Sequence, residues 1–296
     1  MSHSETRSNL PINLQTNIRY NNEHMNTQNR KTVGLALGSG SARGISHIGV
    51  IKALEENNIP IDYIAGSSIG SLVGGIYVTT MDTKYMENIV SIAGWRQNLS
   101  LVDPTLTNGF IKGDKLKKFM ESHVNHSTFE QLQIPLTVMT TDLQTGKAVA
   151  ITEGLLAPAI RASVSFPLVF QPVEHQGKFL VDGGLATPVP VSAVKEMGAD
   201  IVIAVDLDAK VLNLVTEKNS VEKLGLYGTT KRSFDIMRHH LAKTEVEKAD
   251  IVIAPRVDNT LWYEFVGNEG LIKSGEDAVH EQIEQIKKLL GDQEPA

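Results

Sequence analysis

Apolar positions along this chain alternate between two periods. Val33-Gly34-Leu35-Ala36-Leu37 is an unbroken apolar run, the pattern of a strand covered on both faces. Ile48, Val50, Ile51 and Leu54 then recur at helical spacing, so a helix is expected over 45–57, stopped by Asn57-Asn58-Ile59-Pro60. Tyr63-Ile64-Ala65 is a second short strand, and Leu72-Val73-Gly74-Gly75-Ile76-Tyr77 continues as an apolar helix. A strand, a loop and helix, and another strand make a crossover whose handedness rule sets the two strands parallel.

The same reading predicts helices over 84–94 and 113–124, strands over 136–139 and 148–151, and a short helix over 155–163 with Pro158 in its first turn. An apolar loop with two prolines fills 164–172. A strand over 178–181 runs into Asp182-Gly183-Gly184, a helix follows over 189–197, and Ile201-Val202-Ile203-Ala204-Val205 has no polar face. The last hundred residues predict a helix over 221–248, a strand over 251–254 and one amphipathic helix over 275–290. Alternating elements of this kind build an α/β fold of three layers, α/β/α, around a mainly parallel central sheet. Residues 1–31 are polar and aperiodic and are expected to form a disordered tail. No linker divides the rest, so 32–206 is expected to be the working domain and 207–296 an α/β extension of the same sheet.

Composition narrows the class. The 296 residues are 41% apolar, enough for a sizeable core, and contain no cysteine, which excludes disulfides and thiolate chemistry. A formal charge of −6 argues against nucleic acid as a partner and against general attraction to anionic membranes. The start lacks the apolar stretch of a secretory signal, and no apolar run is long enough to span a bilayer. A cytoplasmic protein is expected, with any membrane contact local, transient and peripheral.

Three stretches carry candidate chemistry, each at the end of a predicted strand, where ligands of parallel sheets bind. Gly66-Ser67-Ser68-Ile69-Gly70 fits a serine on a strained strand-to-helix turn, flanked by glycines and facing the positive end of a helix. Ser68 is the candidate nucleophile; the plainer alternative is a serine capping a core helix. Asp182 is the candidate base, with Gly183 and Gly184 allowing close backbone approach; the alternative is a turn aspartate bonding its own backbone. Gly38-Ser39-Gly40-Ser41-Ala42-Arg43-Gly44 offers backbone amides for an oxyanion hole, centred on Gly40 and Ser41. Arg43 would brace that loop or meet an anionic head group. A nucleotide site fits less well, because the glycine spacing is one residue too long and Asp62 precedes its strand.

Taken in order, these three stretches resemble the signatures of the patatin-like phospholipase family, in its short bacterial branch. Thr141-Asp142-Leu143-Gln144-Thr145-Gly146 and Ala159-Ile160-Arg161-Ala162-Ser163 with Pro167 are also similar to it, over about 33–206. The resemblance implies a three-layer α/β fold, a Ser68-Asp182 dyad without histidine, metal or cofactor, and a lipid ester as substrate. Relatives carry a denser glycine run where this chain has Ser39 and Ser41, which would narrow the hole or add a hydroxyl donor. Burial against the 164–170 loop should raise the Asp182 pKa toward neutrality and make it a usable base.

Other readings compete. A Ser-Asp-His triad would need His239, His240 or His280, all on predicted helices and better read as surface residues. A lipid-binding protein that has kept the fold without turnover is a second alternative. His47 is expected to pack or hydrogen-bond near the first loop, and His123 with His126 lacks the partners of a metal site. Lys112, Lys115, Lys117 and Lys118 form a basic cluster, either a solvated face or a contact to phosphate head groups. Leu155, Leu156, Phe166, Leu168 and Phe170 are candidates for an apolar mouth.

Overall fold

In the computed structural model, residues 30–91, 106–107, 110–111, 114–124, 126–167, 169–209, 225–257 and 269–291 are described. The expected tail therefore lies almost wholly outside them, as do Lys112 and Leu168. In chain order the elements begin with β1 Val33–Leu37, α1 Ser46–Glu56, β2 Tyr63–Ser67, α2 Ile69–Thr80, α3 Thr83–Val90 and α4 Asp114–Val124. They continue with β3 Leu136–Asp142, β4 Ala148–Ile151, α5 Leu156–Ser163, β5 Val173–His175, β6 Lys178–Asp182 and α6 Val191–Glu196. β7 Ile201–Val205, α7 Gly225–Val246, β8 Ile251–Ile253, α8 Glu269–His280 and α9 Ile283–Leu290 complete the order, apart from short 3-10 turns and a small hairpin of Leu106–Thr107 with Phe110–Ile111.

The eight strands form one sheet in the order β8-β7-β1-β2-β3-β6-β5, with β4 also on β3. β8, β7, β1, β2 and β3 are mutually parallel; β4, β5 and β6 run antiparallel to their neighbours. Helices cover both sides. All five residues of β1 and all five of β7 are buried, which is why these strands read as unbroken apolar runs. The C-terminal part adds β8 to β7 and lays α8 against α1, where Lys52 bridges Glu87 at 2.8 Å and Glu276 at 2.9 Å.

One expectation needs correction, and one strand is additional. The single helix over 275–290 is two, α8 and α9, because the helical ladder breaks at Gln282, whose amide bonds the Val279 carbonyl only three residues back at 2.9 Å. Residues 173–177, between the expected 164–172 loop and the expected strand and given no element, contain β5, which turns into β6 through Gln176 (φ 48°) and Gly177 (φ 75°). A two-residue turn with both φ values positive matches the twist of paired strands, and Gly177 supplies one of them without strain.

Register brings the candidate site together. On one side of β3, Met139 is opposite Ser67 at the end of β2, and the next residue, Thr140, is opposite Asp182 at the end of β6. β4 occupies the other side. β2 and β6 thus meet end to end along one edge of β3, and the residues that close them arrive at the same point from opposite directions.

Candidate active site

Ser68 begins α2 with φ 54° and ψ −121°, a conformation outside the regions that side-chain-bearing residues ordinarily adopt. Such strain costs on the order of 1–3 kcal/mol and persists only where the surroundings impose it. Here Gly70 imposes it in part, since a side chain there would overlap the Leu37 carbonyl, so α2 can sit directly on the end of β1. The Ser68 amide donates to Ser163 Oγ at 2.9 Å, and Ser163 Oγ donates to the Met139 carbonyl at 2.6 Å. The Ser71 hydroxyl stands 2.8 Å from the same Ser163 oxygen and also donates to the Gly66 carbonyl. Ser163, fully buried at the end of α5, therefore holds the turn to the sheet. Ser163→Ala is expected to lower stability by about 2 kcal/mol, because a buried amide and a carbonyl lose their partner together. Chemical denaturation checks this, and an unchanged midpoint would contradict it.

The Ser68 hydroxyl donates to Asp182 Oδ2 at 2.6 Å. The second oxygen, Oδ1, accepts the Gly184 amide at 2.8 Å, while Thr141 Oγ1 donates to the Asp182 carbonyl at 2.8 Å. A side chain on Gly183 would overlap the Met139 carbonyl, so the turn can reach β3 only as glycine. Burial pushes the Asp182 carboxyl up to about 6, against the opposing pull of Ser68, Gly184 and the Arg238 charge. The hydroxyl meets the carboxylate directly, so no imidazole stands between them. His239 instead bonds the Asp208 carbonyl through Nδ1 at 2.8 Å, His240 stacks on His239, and His280 lies on α8.

The 38–44 loop lies beside both residues. A Cβ on Gly184 would come within 2.8 Å of the Ser39 side chain, and one on Gly44 would run into Ile69. Its first two amides are already engaged: Gly38 donates to Val205 at 3.1 Å and Ser39 to Pro188 at 2.8 Å. This removes Gly38 and Ser39 as backbone donors to a ligand and moves the candidate hole on to Gly40 and the turn Ser41–Ile45. Ser41 is itself strained, at φ 55°, while the Ser39 hydroxyl is buried without a partner among the described residues. Arg43 braces the loop and is buried: Nε donates to Gly40 O at 3.2 Å, Nη1 to Leu207 O at 3.0 Å and Nη2 to Asp208 Oδ1 at 2.7 Å. His47 supports it from α1 through Nε2 and Gly38 O at 2.8 Å, and burial pushes its pKa down to about 4, so it is neutral.

The other candidates separate. Leu156 is fully buried and belongs to the core and not to a mouth, whereas Leu155 is half exposed. Phe166 stacks edge-on against Phe234 of α7 at 5.6 Å, and Phe170 lies under the Arg161 guanidinium. Lys117 and Lys118 are exposed on α4, Lys117 within 3.7 Å of Glu121 one turn on, which is a solvated face. His123 bonds Tyr85 through Nδ1 at 2.8 Å. Asp62 accepts the Val33 amide at 2.7 Å and is engaged at the foot of β1. Among the described residues no three His, Asp or Glu side chains gather as a metal-binding set, and no helix is long and apolar enough to cross a membrane.

Known proteins share this arrangement of elements and sequence. An uncharacterized NTE family protein of Mycobacterium tuberculosis is 41% identical over 177 residues, covering 60% of this chain and 49% of the relative. Lysophospholipase NTE1 of Yarrowia lipolytica is 36% identical over 185 residues, covering 60% of this chain but 13% of that protein. The chain thus spans about half the length of its mycobacterial relative and a small part of the yeast one. The crystal structure of VipD from Legionella pneumophila superposes with a TM-score of 0.58 over 86% of this chain and 67% of VipD, at 14% identity, a likeness of fold. A family model for patatin-like phospholipase matches residues 35–195, more than half of the 296. With that match spanning the 38–44 loop, Ser68 and Asp182 alike, the chain belongs to the patatin-like phospholipase family.

Proposed function

We propose that this protein is a serine acyl-hydrolase that cleaves carboxylic ester bonds of lipids, phospholipid or lysophospholipid, through Ser68 and Asp182. The observation that carries the reading is the 2.6 Å contact between the two side chains on a strained strand-to-helix turn. The family and the lysophospholipase name of the yeast relative support lipid as the substrate class. Residues 32–206 supply the chemistry on this reading, and 207–296 complete the sheet behind it.

Asp182 Oδ2 takes the hydroxyl proton as Ser68 Oγ bonds to the ester carbonyl carbon. Negative charge on the carbonyl oxygen is met by the amides at Gly40 and beyond and by the positive end of α2. The carbon–oxygen bond to the alcohol then breaks, and the departing oxygen recovers the proton from Asp182. Water attacks the acyl-Ser68 ester by the same relay, releasing a fatty acid and restoring the hydroxyl. A carboxyl near pKa 4 is a weak base for this work; at about 6 it is better matched and still ionised at neutral pH. Since the reaction needs the carboxylate, kcat/KM should fall tenfold per pH unit below about 6 and level off above it.

The test is fatty acid release from defined phosphatidylcholine, lysophosphatidylcholine and monoacylglycerol, together with fluorophosphonate labelling mapped by peptide mass spectrometry. Release from at least one lipid and a label on Ser68 are expected. No release from any of them, or a label on another serine, would refute the assignment.

A further inference from the structure

Asp208 and α7 lie outside the family-matched segment, yet a buried chain of charges joins them to the site. Arg238 on α7 grips Asp208 with a fork, Nε to Oδ2 at 2.9 Å and Nη2 to Oδ1 at 2.9 Å, and Nη2 also reaches Asp235 Oδ1 at 3.0 Å. Asp208 Oδ1 in turn holds Arg43 Nη2 at 2.7 Å, and Arg43 Nε holds the Gly40 carbonyl. The side chains are nearly sealed from water: Asp208 is 1% exposed, Asp235 and Arg43 7%, and Arg238 12%. A buried ionic chain is a poor device for stability alone, since apolar residues of similar volume often do as well. What ions do better is fix direction, and the direction fixed here is that of the Gly40–Ser41 peptide. Because a trans peptide points its N–H opposite its C=O, holding the Gly40 oxygen sets the direction of the Ser41 N–H.

We propose that Arg238 is a positioning residue for the reaction at Ser68, acting through Asp208 and Arg43 to aim the Gly40–Ser41 peptide at the developing oxyanion. The inference rests on the acyl-hydrolase reading of Ser68 and Asp182. Its consequence is that the C-terminal extension is a working part of the site, tied in twice: by Arg238 to the loop, and by Phe234 to Phe166 on the segment after α5. Burial pushes the Asp208 carboxyl up, but Arg238 and Arg43 outweigh it and hold the carboxyl below the usual range. Asp206 beside it and the His239 ring on its carbonyl complete its polar surroundings. Asp182 is faced by the Ser68 hydroxyl, the Gly184 amide and the Arg238 charge.

The experiment compares wild type with Arg238→Lys, Arg238→Met and the uncharged pair Asp235→Asn/Arg238→Met, which leaves the buried Asp208–Arg43 pair balanced, with Ser68→Ala as the control, all as full chains hydrolysing p-nitrophenyl butyrate. In Arg238→Met, kcat should fall by roughly 10- to 100-fold, as expected when the oxyanion donors lose their aim, with KM within about twofold. The acid limb of its pH profile should move upward, since a cation near Asp182 has gone. Arg238→Lys keeps the charge but not the fork, so its acid limb should stay in place while kcat falls about tenfold. The uncharged pair should regain thermal stability without regaining kcat, and it decides the matter if Arg238→Met does not fold. An uncharged pair that recovers both stability and kcat, or lysine and methionine variants with wild-type kcat, would overturn the inference alone. Hydrolysis that persists in Ser68→Ala would bring down the reading of the site and this inference with it.

Discussion

Ser68→Ala is expected to lower kcat by about 10,000-fold or more while leaving KM for a lipid ester near its wild-type value. The hydroxyl is asked to form and break the acyl bond, and removing the nucleophile of such a pair leaves only the contribution of binding and oxyanion donors. Folding should register the change differently. Alanine inherits the φ of 54° with its strain, and Asp182 keeps its burial while losing the 2.6 Å donor that favours its charge. Ser68→Ala should therefore be less stable than wild type at pH 7 by about 1–2 kcal/mol. Ser68→Gly, equally inactive, should recover about 1 kcal/mol of that, because glycine tolerates positive φ. Esterase assay and thermal unfolding of the three proteins at pH 7 check both statements. Substantial turnover by either variant would mean that the chemistry lies elsewhere, and equal stability of the two variants would mean that the turn is not strained.

What the sequence discloses and what it hides divide along physical lines. β1 and β7 were legible because strands buried on both faces leave no polar position to interrupt the run. The turn at Ser68 was legible because the glycines beside it are required by close backbone approach, a local demand that leaves a local trace. The meeting of Ser68 with Asp182, 114 residues apart, depends on two strands abutting along β3 and leaves no periodic signature. Family resemblance supplied that pairing where spacing could not. β5 escaped notice because its turn uses Gln176 where asparagine or aspartate is the usual signal. Ser163 reads in sequence as the last polar residue of a short helix, and only its position against Ser68 N and Met139 O shows what it holds. Arg238 and Asp208 were missed for a related reason. Charges on a long helix ordinarily face water, and nothing in the pattern of α7 says that this arginine is turned inward to a carboxylate 30 residues earlier.

Asp182→Asn should separate activity from stability. Asparagine fills the same space, with its oxygen placed to accept the Gly184 amide and its NH2 to donate to the Ser68 oxygen, but it cannot take a proton at neutral pH. A loss in kcat of at least about 1,000-fold is expected, with the acid limb near pH 6 abolished in whatever activity remains. Stability should move the opposite way. The folded-state pKa of Asp182 is raised to about 6, above the ordinary value of 3.8, so between these two values the native state binds more protons than the unfolded chain. Wild-type stability contributed by this group is therefore greatest below about pH 4, falls as pH rises through that interval and stays lower above it. The deficit at pH 7 is about 2–3 kcal/mol for a shift of this size. Relieved of it, Asp182→Asn should melt several degrees higher than wild type at pH 7.5, with the difference shrinking as pH falls toward 4. Unfolding curves of both proteins across that pH range measure the effect. If the variant melts lower at pH 7.5, the carboxylate is stabilised by its surroundings and is not held there at a cost, and its fitness as a general base would lose its physical ground.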